Sequence, residues 1–264
     1  MTVMEKSSPQ PPADTLMIAG FPVLALTRMP LVSRLLASWE QGRQRCLFFV
    51  NTNFVNQCES MRQALSDPDI CLVNDGIGMD IAGWLLHRTR FPDNLNGTDL
   101  VPHLLLQLHD KQRQAALEGP RIFLLGAKPG IAFRAAATLA DMGLCIVGTL
   151  NGYEESADNA GVVDAINAAG ADIVLVAMGN PVQERWILDH RHQLDARWLM
   201  GVGALLDFLA GDKPRAPEWI RSCRLEWLYR LSLEPRRLFR RYTIDIGRFL
   251  IRCRRWRHQS RIES

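Results

Sequence analysis

A chain of 264 residues that is 47% apolar and carries a net charge of +3 is long enough to bury one full α/β core with an appendage, or two small domains. Its first 14 residues are polar and contain three prolines, so no secretory signal is indicated, and no apolar run reaches the roughly 18 to 20 residues of a membrane-spanning helix. The six cysteines are scattered without a C-x-x-C pair, which indicates neither zinc nor a disulfide framework and suits a reducing cytosol.

Short β-rich segments recur along the chain, each followed by turn residues and then by a helical pattern. Most of them are continuously apolar, as in strands covered on both faces. The alternation predicts an α/β fold: a Rossmann-like, mostly parallel sheet with helices on both faces. The predicted strands are 46–50, 70–73, 121–125, 144–147, 172–178 and 198–202, and the predicted helices are 53–65, 77–87, 99–117, 130–141, 156–169 and 181–193. Residues 1–14 are predicted to be a disordered lead-in, and residues 15–215 the core.

Polar and small residues follow every predicted strand. In an open parallel sheet, ligands bind beyond the carboxyl ends of the strands. These segments are therefore the candidate site: Asn51–Asn53, Asn74–Gly78, Gly126–Gly130, Gly148–Tyr153, Gly179–Glu184 and Gly201–Asp207.

Asp75 is the most informative acidic residue. It lies between Asn74 and Gly76 directly after a buried apolar run, where packing explains it poorly and a general base fits well. The alternative is that Asp75 only caps the helix that begins near Ile77. The Asp67-Pro68-Asp69 segment resembles a D-x-D metal motif, but it precedes its strand, so a proline-containing turn is predicted.

Two loops combine glycine with proline at a predicted strand-to-helix junction. Gly126-Ala127-Lys128-Pro129-Gly130 would offer backbone N–H groups and a helix dipole to a phosphate. It matches neither the dinucleotide fingerprint nor the P-loop, so a plain tight turn is the alternative. Gly179-Asn180-Pro181 has the same character, with helix capping as its alternative.

The C-terminal segment, residues 221–264, holds thirteen arginines against four carboxylates, a net charge of +9 that leaves −6 on the rest of the chain. Its apolar residues recur every three or four positions and would form one stripe on a helix: Leu238, Tyr242, Ile246, Phe249 and Cys253. Such a helix would lie in a membrane interface, pack on the core with a solvated basic face, or grip nucleic acid. Residues 216–264 are predicted to be a basic, membrane-associating appendage.

Several ordered blocks together carry a family resemblance. They are Met178–Trp186, Gly201–Gly211, Arg215–Trp219, Leu225–Leu231 and Glu234–Arg237, with Asn74–Gly76, Asn96–Leu100, Phe123–Gly126 and Asn151–Tyr153 upstream. Over about residues 46 to 242 the chain resembles the WecG/TagA/CpsF family of glycosyltransferases, glycosyltransferase family 26.

The resemblance implies an inverting, metal-independent and cofactor-free transfer from a UDP-sugar to a polyprenyl-diphosphate-linked sugar. The sugar would be a hexose or an N-acetylhexosamine, transferred in exopolysaccharide or other cell-surface polysaccharide biosynthesis. Asp75 matches the position of the proposed catalytic base. The implied donor-binding residues are Asn51, Asn53, Gly126, Gln183 and Asp207, and those implied for the acceptor or its diphosphate are Asp99, Arg230, Arg237 and Arg240.

The resemblance implies a cytoplasmic protein that binds peripherally to the anionic inner face of the membrane. Whether the chain forms a homo-oligomer stays open, and no nucleic-acid partner is expected. Two positions depart from the family pattern, since Asn51 stands where threonine is usual and Asn94 where arginine is common. The donor therefore stays open among UDP-glucose, UDP-N-acetylmannosamine and its uronic acid. A nucleotide-dependent oxidoreductase and a nucleic-acid-binding module are the rival functions.

Overall fold

One sheet of eight strands forms the centre of the fold in the computed structural model, which describes residues 14–152, 159–217, 220 and 226–262. In chain order the strands are β1 (Thr15–Ile18), β2 (Phe21–Leu24), β3 (Arg45–Val50), β4 (Ile70–Asn74), β5 (Arg121–Gly126), β6 (Cys145–Leu150), β7 (Ile173–Ala177) and β8 (Trp198–Gly201). Across the sheet their order is β1-β2-β4-β3-β8-β7-β5-β6. Only the β1–β2 pair is antiparallel in the described sheet, so the predicted mostly parallel arrangement is confirmed.

Helices connect the strands and follow the last of them. In chain order they are α1 (Arg28–Glu40), α2 (Thr52–Gln57), α3 (Ile77–His87), α4 (Gly97–Gln114), α5 (Ile131–Asp141), α6 (Asn159–Ala168), α7 (Val182–His190), α8 (Leu205–Leu209), α9 (Glu226–Leu233), α10 (Pro235–Tyr242) and α11 (Ile244–Ile262). Single 3₁₀ turns cover Glu59–Met61, Ala64–Ser66 and Arg191–Gln193. None of the described helices is both long and apolar enough to cross a membrane.

The core lies on both faces of the sheet. Alternate residues of β3 point to opposite sides, since Phe48 packs in one apolar cluster and Leu47 and Phe49 pack in the other. The first cluster takes buried side chains from α2, α3, α6, α7 and α11, and the second from α1, α4, α5 and α8. Burial on both faces explains why the strand segments read as continuous apolar runs. The prediction of helices on both faces is confirmed.

The sequence pattern did not reveal the β1–β2 hairpin or α1. Each hairpin strand has only four residues, and Pro22 interrupts the second. In the turn, Ala19 and Gly20 both have positive φ angles, 49° and 85°, as two-residue hairpin turns of type I′ require, and of the two only Gly20 is a residue type that such turns favour. Of the predicted lead-in, residues 1–13 lie outside the described residues, and the Asp14 carbonyl accepts a hydrogen bond from the Ala25 N–H at 2.7 Å.

Several predicted helix boundaries were wrong. The predicted helix 53–65 ends at Gln57, and 3₁₀ turns follow it. The predicted helix 99–117 begins earlier, because the Asn96 side chain accepts a hydrogen bond from the Asp99 N–H at 3.0 Å and caps the helix from Gly97. The Asp67-Pro68-Asp69 segment precedes β4 as a turn, as predicted, with the Asp67 carboxylate accepting from the Asp69 N–H at 2.8 Å.

The predicted single apolar stripe of the C-terminal segment was wrong, since its residues are divided between two helices, α10 and α11, on either side of Thr243. The Thr243 hydroxyl donates to the Phe239 carbonyl at 2.7 Å, a local hydrogen bond that competes with a continuous helix. On α11, Phe249 and Cys253 are 1% and 0% exposed and belong to the core. This half of the stripe packs on the core, as one of the alternatives predicted. The division of the chain at residues 215 and 216 stays a prediction.

If α11 is part of the core, truncating its buried aromatic residue will destabilise the whole fold. Phe249→Ala is expected to lower the free energy of unfolding by about 3 to 5 kcal/mol, because it removes buried contacts and leaves a cavity. Phe239→Ala is the matched control, since Phe239 is 63% exposed on α10, and its effect should stay within about 0.5 kcal/mol. Urea denaturation measures both, and equal effects of the two variants would contradict this packing of α11.

Candidate functional site

The predicted polar segments come together at one edge of the sheet, where the parallel strands have their carboxyl ends. Asn51 and Asp75 directly follow the neighbouring strands β3 and β4. The segments after β8, β7 and β5 face the same edge because these strands run parallel to β3. Tyr153 lies outside the described residues. The edge is therefore the candidate site, as the doubly wound topology predicts.

Asp75 is held by backbone and side-chain hydrogen bonds from the neighbouring strand. Its N–H donates to the Val50 carbonyl at 2.8 Å, and the Asn51 amide donates to the Asp75 carboxylate at 3.3 Å. Asn51 also caps α2 by accepting from the Phe54 N–H at 3.0 Å. The cap of α3 is Gly76, with φ of 85° and no side-chain cap, so the alternative that Asp75 only caps this helix was wrong.

The turn after Asp75 is fixed from a second direction by two residues that sequence reasoning did not assign. The Asn94 side-chain oxygen accepts from the Gly76 N–H at 2.9 Å. The Asp93 carbonyl accepts from the Asn74 side-chain amide at 2.8 Å, and its carboxylate accepts from the Asn94 N–H at 2.8 Å. Asn94, a departure from the family pattern, thus holds the turn that carries the candidate base. An arginine side chain at this position has no oxygen with which to accept from Gly76.

Gln183 joins the loops that follow β7 and β8. Its side-chain oxygen accepts from the Gly179 N–H at 3.2 Å and from the Gly203 N–H at 3.0 Å. Its amide nitrogen donates to the Glu184 carboxylate at 2.8 Å, and only 2% of the residue is exposed. The structure therefore places Gln183 as a brace between two loops. Its predicted contact with the donor stays a prediction.

Glu184 lies at the centre of a buried polar network. Its carboxylate accepts from the Asn180 amide at 2.6 Å as well as from Gln183, and Cys58 Sγ lies 3.9 Å away. Asn180 in turn accepts from the Asn53 amide at 3.4 Å, so the network reaches the start of α2. Burial of the residue, which is 0% exposed, raises the pKa of the Glu184 carboxyl.

Gly126 has a packing reason to be glycine. Its φ is 111°, and a Cβ there would lie 2.7 Å from the backbone carbonyl atoms of Ala177 on β7. The next residue, Ala127, donates its N–H to the Ala177 carbonyl at 2.8 Å and accepts from the Gly152 N–H at 3.0 Å. The alternative of a tight turn thus accounts for this glycine, and phosphate binding at the loop stays a prediction.

Asp99 and Asp207 both form ion pairs with the segment after α8. Lys213 Nζ lies 3.0 Å from the Asp207 carboxylate, and Arg215 pairs with the Asp99 carboxylate. Asn96 also donates to Asp99 at 2.9 Å. These two acids therefore anchor the segment that leads into the basic C-terminal helices.

The predicted tail arginines are described only in part. The side chains of Arg230 and Arg237 lie outside the described residues, although their backbones belong to α9 and α10. Arg240 is exposed on α10, with no ion pair to another described residue. Within 14–152, 159–217, 220 and 226–262, no group of three or more His, Cys, Asp or Glu residues is arranged to hold a metal ion.

The raised pKa of Glu184 has a consequence for stability. A folded-state pKa above the ordinary value of 4.5 means that the native state favours the protonated form, so the free energy of unfolding falls as the pH rises through this range. Glu184→Gln keeps an oxygen acceptor for Asn180 and Gln183 but cannot ionise. Its stability relative to the wild type should therefore grow with pH above 4.5, by at most about 1.4 kcal/mol per pH unit.

Chemical denaturation of both proteins between acid and neutral pH measures this difference. Glu118→Gln, at an exposed carboxylate, is the control and should show little pH-dependent change. A constant difference between Glu184→Gln and the wild type would show that burial does not shift the Glu184 carboxyl.

The sequence model of the glycosyl transferase WecG/TagA/CpsF family matches residues 16–263, nearly the whole chain. The match extends beyond the resembling region in both directions, into the β1–β2 hairpin and α11. Members of this family act in cell-surface polysaccharide synthesis and in general use a sugar-nucleotide donor and a lipid-linked acceptor. The chain belongs to the WecG/TagA/CpsF family of glycosyltransferases.

Proposed function

We propose that this chain is an inverting, metal-independent glycosyltransferase. It moves a hexose or an N-acetylhexosamine from a UDP-sugar to a polyprenyl-diphosphate-linked sugar in the synthesis of an exopolysaccharide or another cell-surface polysaccharide. The observation that carries the proposal is the position of Asp75 at the sheet edge, oriented by the Asn51 amide at 3.3 Å in a chain of this family.

Asp75 serves as the general base in this mechanism. As the acceptor hydroxyl oxygen attacks the anomeric carbon, its proton passes to the Asp75 carboxylate. The bond between the anomeric carbon and the UDP oxygen breaks, and UDP leaves with the electron pair. Attack from the face opposite UDP inverts the anomeric configuration. The amide of Asn51 orients the carboxylate, and the hydrogen bond from Gly76 to Asn94 holds the turn that carries it.

The leaving diphosphate requires positive charge or N–H donors as it departs. In the proposed mechanism, backbone N–H groups of the loops after β5 and β7 meet the UDP, and the tail arginines Arg230, Arg237 and Arg240 close over the diphosphates. The ion pairs Asp207–Lys213 and Asp99–Arg215 support this arrangement, since they fix the segment from which the tail departs. Guanidinium groups suit diphosphate because they form two parallel hydrogen bonds.

The acceptor's polyprenyl chain is held in the membrane, so the proposed enzyme works peripherally at the inner face. The basic helices support this placement. Phe239 on α10 is 63% exposed and lies among arginines, an arrangement that suits an anionic interface. The donor is UDP-glucose, UDP-N-acetylmannosamine or its uronic acid.

UDP release from a panel of these UDP-sugars tests the function. We expect release from one donor, dependent on a polyprenyl-diphosphate-monosaccharide acceptor and undiminished by EDTA. Asp75→Asn should lower turnover by about 10²- to 10⁴-fold, the usual contribution of a positioned base, with the fold intact. Asp141→Asn, an exposed carboxylate at the end of α5, is the matched control and should keep full turnover.

Near-normal turnover in Asp75→Asn would remove the base assignment but leave the transferase function in place. Silence of the folded wild type across the whole panel would remove the function itself. Steep salt-dependent binding to nucleic acid would then favour the binding-module rival.

Asn94 is expected to act through the Asp75 turn. Asn94→Ala leaves the Gly76 N–H without its acceptor, and we expect about a 10-fold loss of kcat, because small displacements of a catalytic group are costly. The free energy of unfolding should change by only about 1 kcal/mol, the worth of one hydrogen bond. Asn94→Asp keeps an oxygen acceptor and should retain more turnover than Asn94→Ala. Full activity of Asn94→Ala would contradict the positioning role.

A further inference from the structure

One helix beside the candidate base exposes a row of large apolar side chains. On α3, Ile77, Ile81 and Trp84 are 38%, 47% and 53% exposed, and their spacing of four and three residues places them on one helical face. The opposite face of α3 is buried, with Met79 and Ala82 both 0% exposed. Contiguous exposed apolar rows of this kind mark interaction surfaces, whereas isolated exposed residues need no explanation.

A positively charged side chain contacts this row. The Arg88 guanidinium lies over the Trp84 ring, 4.7 Å from its centroid, at the end of α3. The exposed residues of α3 include no carboxylate, and neither do the described exposed residues of α9, α10 and α11. Helix α11 packs beside α3, where Arg257 donates to the Leu85 carbonyl at 3.0 Å. An apolar row flanked by arginines is complementary to an anionic lipid surface.

We propose that α3 is a membrane-docking helix whose row of Ile77, Ile81 and Trp84 enters the interfacial region of an anionic phospholipid bilayer. Arg88 and the exposed arginines of α11 meet the lipid phosphates. Tryptophan suits this depth, since its ring is apolar and its N–H is polar. The proposal rests on the proposed function, which requires the enzyme to reach an acceptor held in the same bilayer.

The apolar row lies next to the candidate base in the chain. Ile77, its first residue, follows Asp75 by only two residues, so docking of the row would bring Asp75 close to the membrane surface. The sugar diphosphate of a polyprenyl-linked acceptor stands at the membrane surface. A helix of 11 residues, roughly 16 Å long, that lies in the interface would hold Asp75 at the depth of that sugar.

Other exposed apolar residues provide the control. Phe133 is 72% exposed on α5, which packs on the opposite face of the sheet from α3. Substitution of either site replaces exposed side chains, so the fold is expected to survive in both cases. The double variant Ile81→Ser/Trp84→Ser therefore tests the row, and Phe133→Ser controls for the loss of exposed apolar surface.

Sedimentation with vesicles of phosphatidylglycerol and phosphatidylcholine measures the docking. We expect the partition coefficient of the double variant to fall by about 10- to 100-fold and that of Phe133→Ser to change by less than about 2-fold. Trp84→Leu should keep most of the binding but lose the part of the tryptophan quenching by brominated lipid that comes from Trp84, since the chain has seven tryptophans. With a vesicle-embedded acceptor the double variant should show a raised KM, and with a water-soluble short-chain acceptor it should turn over as the wild type does.

Unchanged partition of the double variant would overturn the docking role of α3. So would a wild-type dimer in lipid-free buffer that the double variant dissociates while its vesicle binding is retained, because the row would then be a contact between two copies. If the variant loses vesicle binding but the wild type releases no UDP from any donor, the docking stands and the proposed transferase function falls.

Discussion

The candidate site depends on the hydrogen bonds that the buried carboxyl group of Glu184 accepts. A carboxyl group at that depth without hydrogen-bond donors would cost several kcal/mol, so its two amide donors, Asn180 and Gln183, have little freedom to move. Gln183 in turn accepts from Gly179 and Gly203, and these contacts fix the separation of the loops after β7 and β8. The hydrogen bonds of this one buried group thus fix the arrangement of the two loops on one side of the candidate site.

The other side of the candidate site, which carries Asp75, is held by contacts with the backbone and with Asn94. The Asp75 N–H donates to the Val50 carbonyl on the neighbouring strand, and this hydrogen bond positions Asp75. The turn after Asp75 is held by the hydrogen bond from the Gly76 N–H to Asn94. The hydrogen bond from the Asn53 amide to Asn180, at 3.4 Å, joins the two sides of the candidate site. The protein itself therefore orders each side of the candidate site, as the proposed catalysis by fixed dipoles and a positioned base would require. A donor and an acceptor entering from the sheet edge would meet groups that are already oriented.

The sequence predicted what depends on local pattern. Continuous apolar runs located the parallel strands, and the polar residues after them meet at one edge of the sheet as predicted, because parallel strands share one carboxyl edge. It failed where a contact between distant segments decides the outcome: Asn94 reaches Gly76 across 18 residues, and Gln183 reaches Gly203 across 20. It also failed at Thr243, where α10 ends before α11 begins although periodicity alone would continue one helix.

The C-terminal helix α11 packs on the core through its apolar residues and also exposes several of the arginines of the basic segment. Phe249 and Cys253 are buried against α2 and α3, whereas Arg248, Arg254 and Arg255 are exposed. Packing stabilises this helix, and repulsion among its arginines opposes it. An anionic surface would reduce that repulsion, and we expect it to bind more tightly to the folded helix, which holds these three exposed arginines away from the core. By linkage, such a surface would therefore stabilise the native packing of α11, and native packing would strengthen its attraction to the surface.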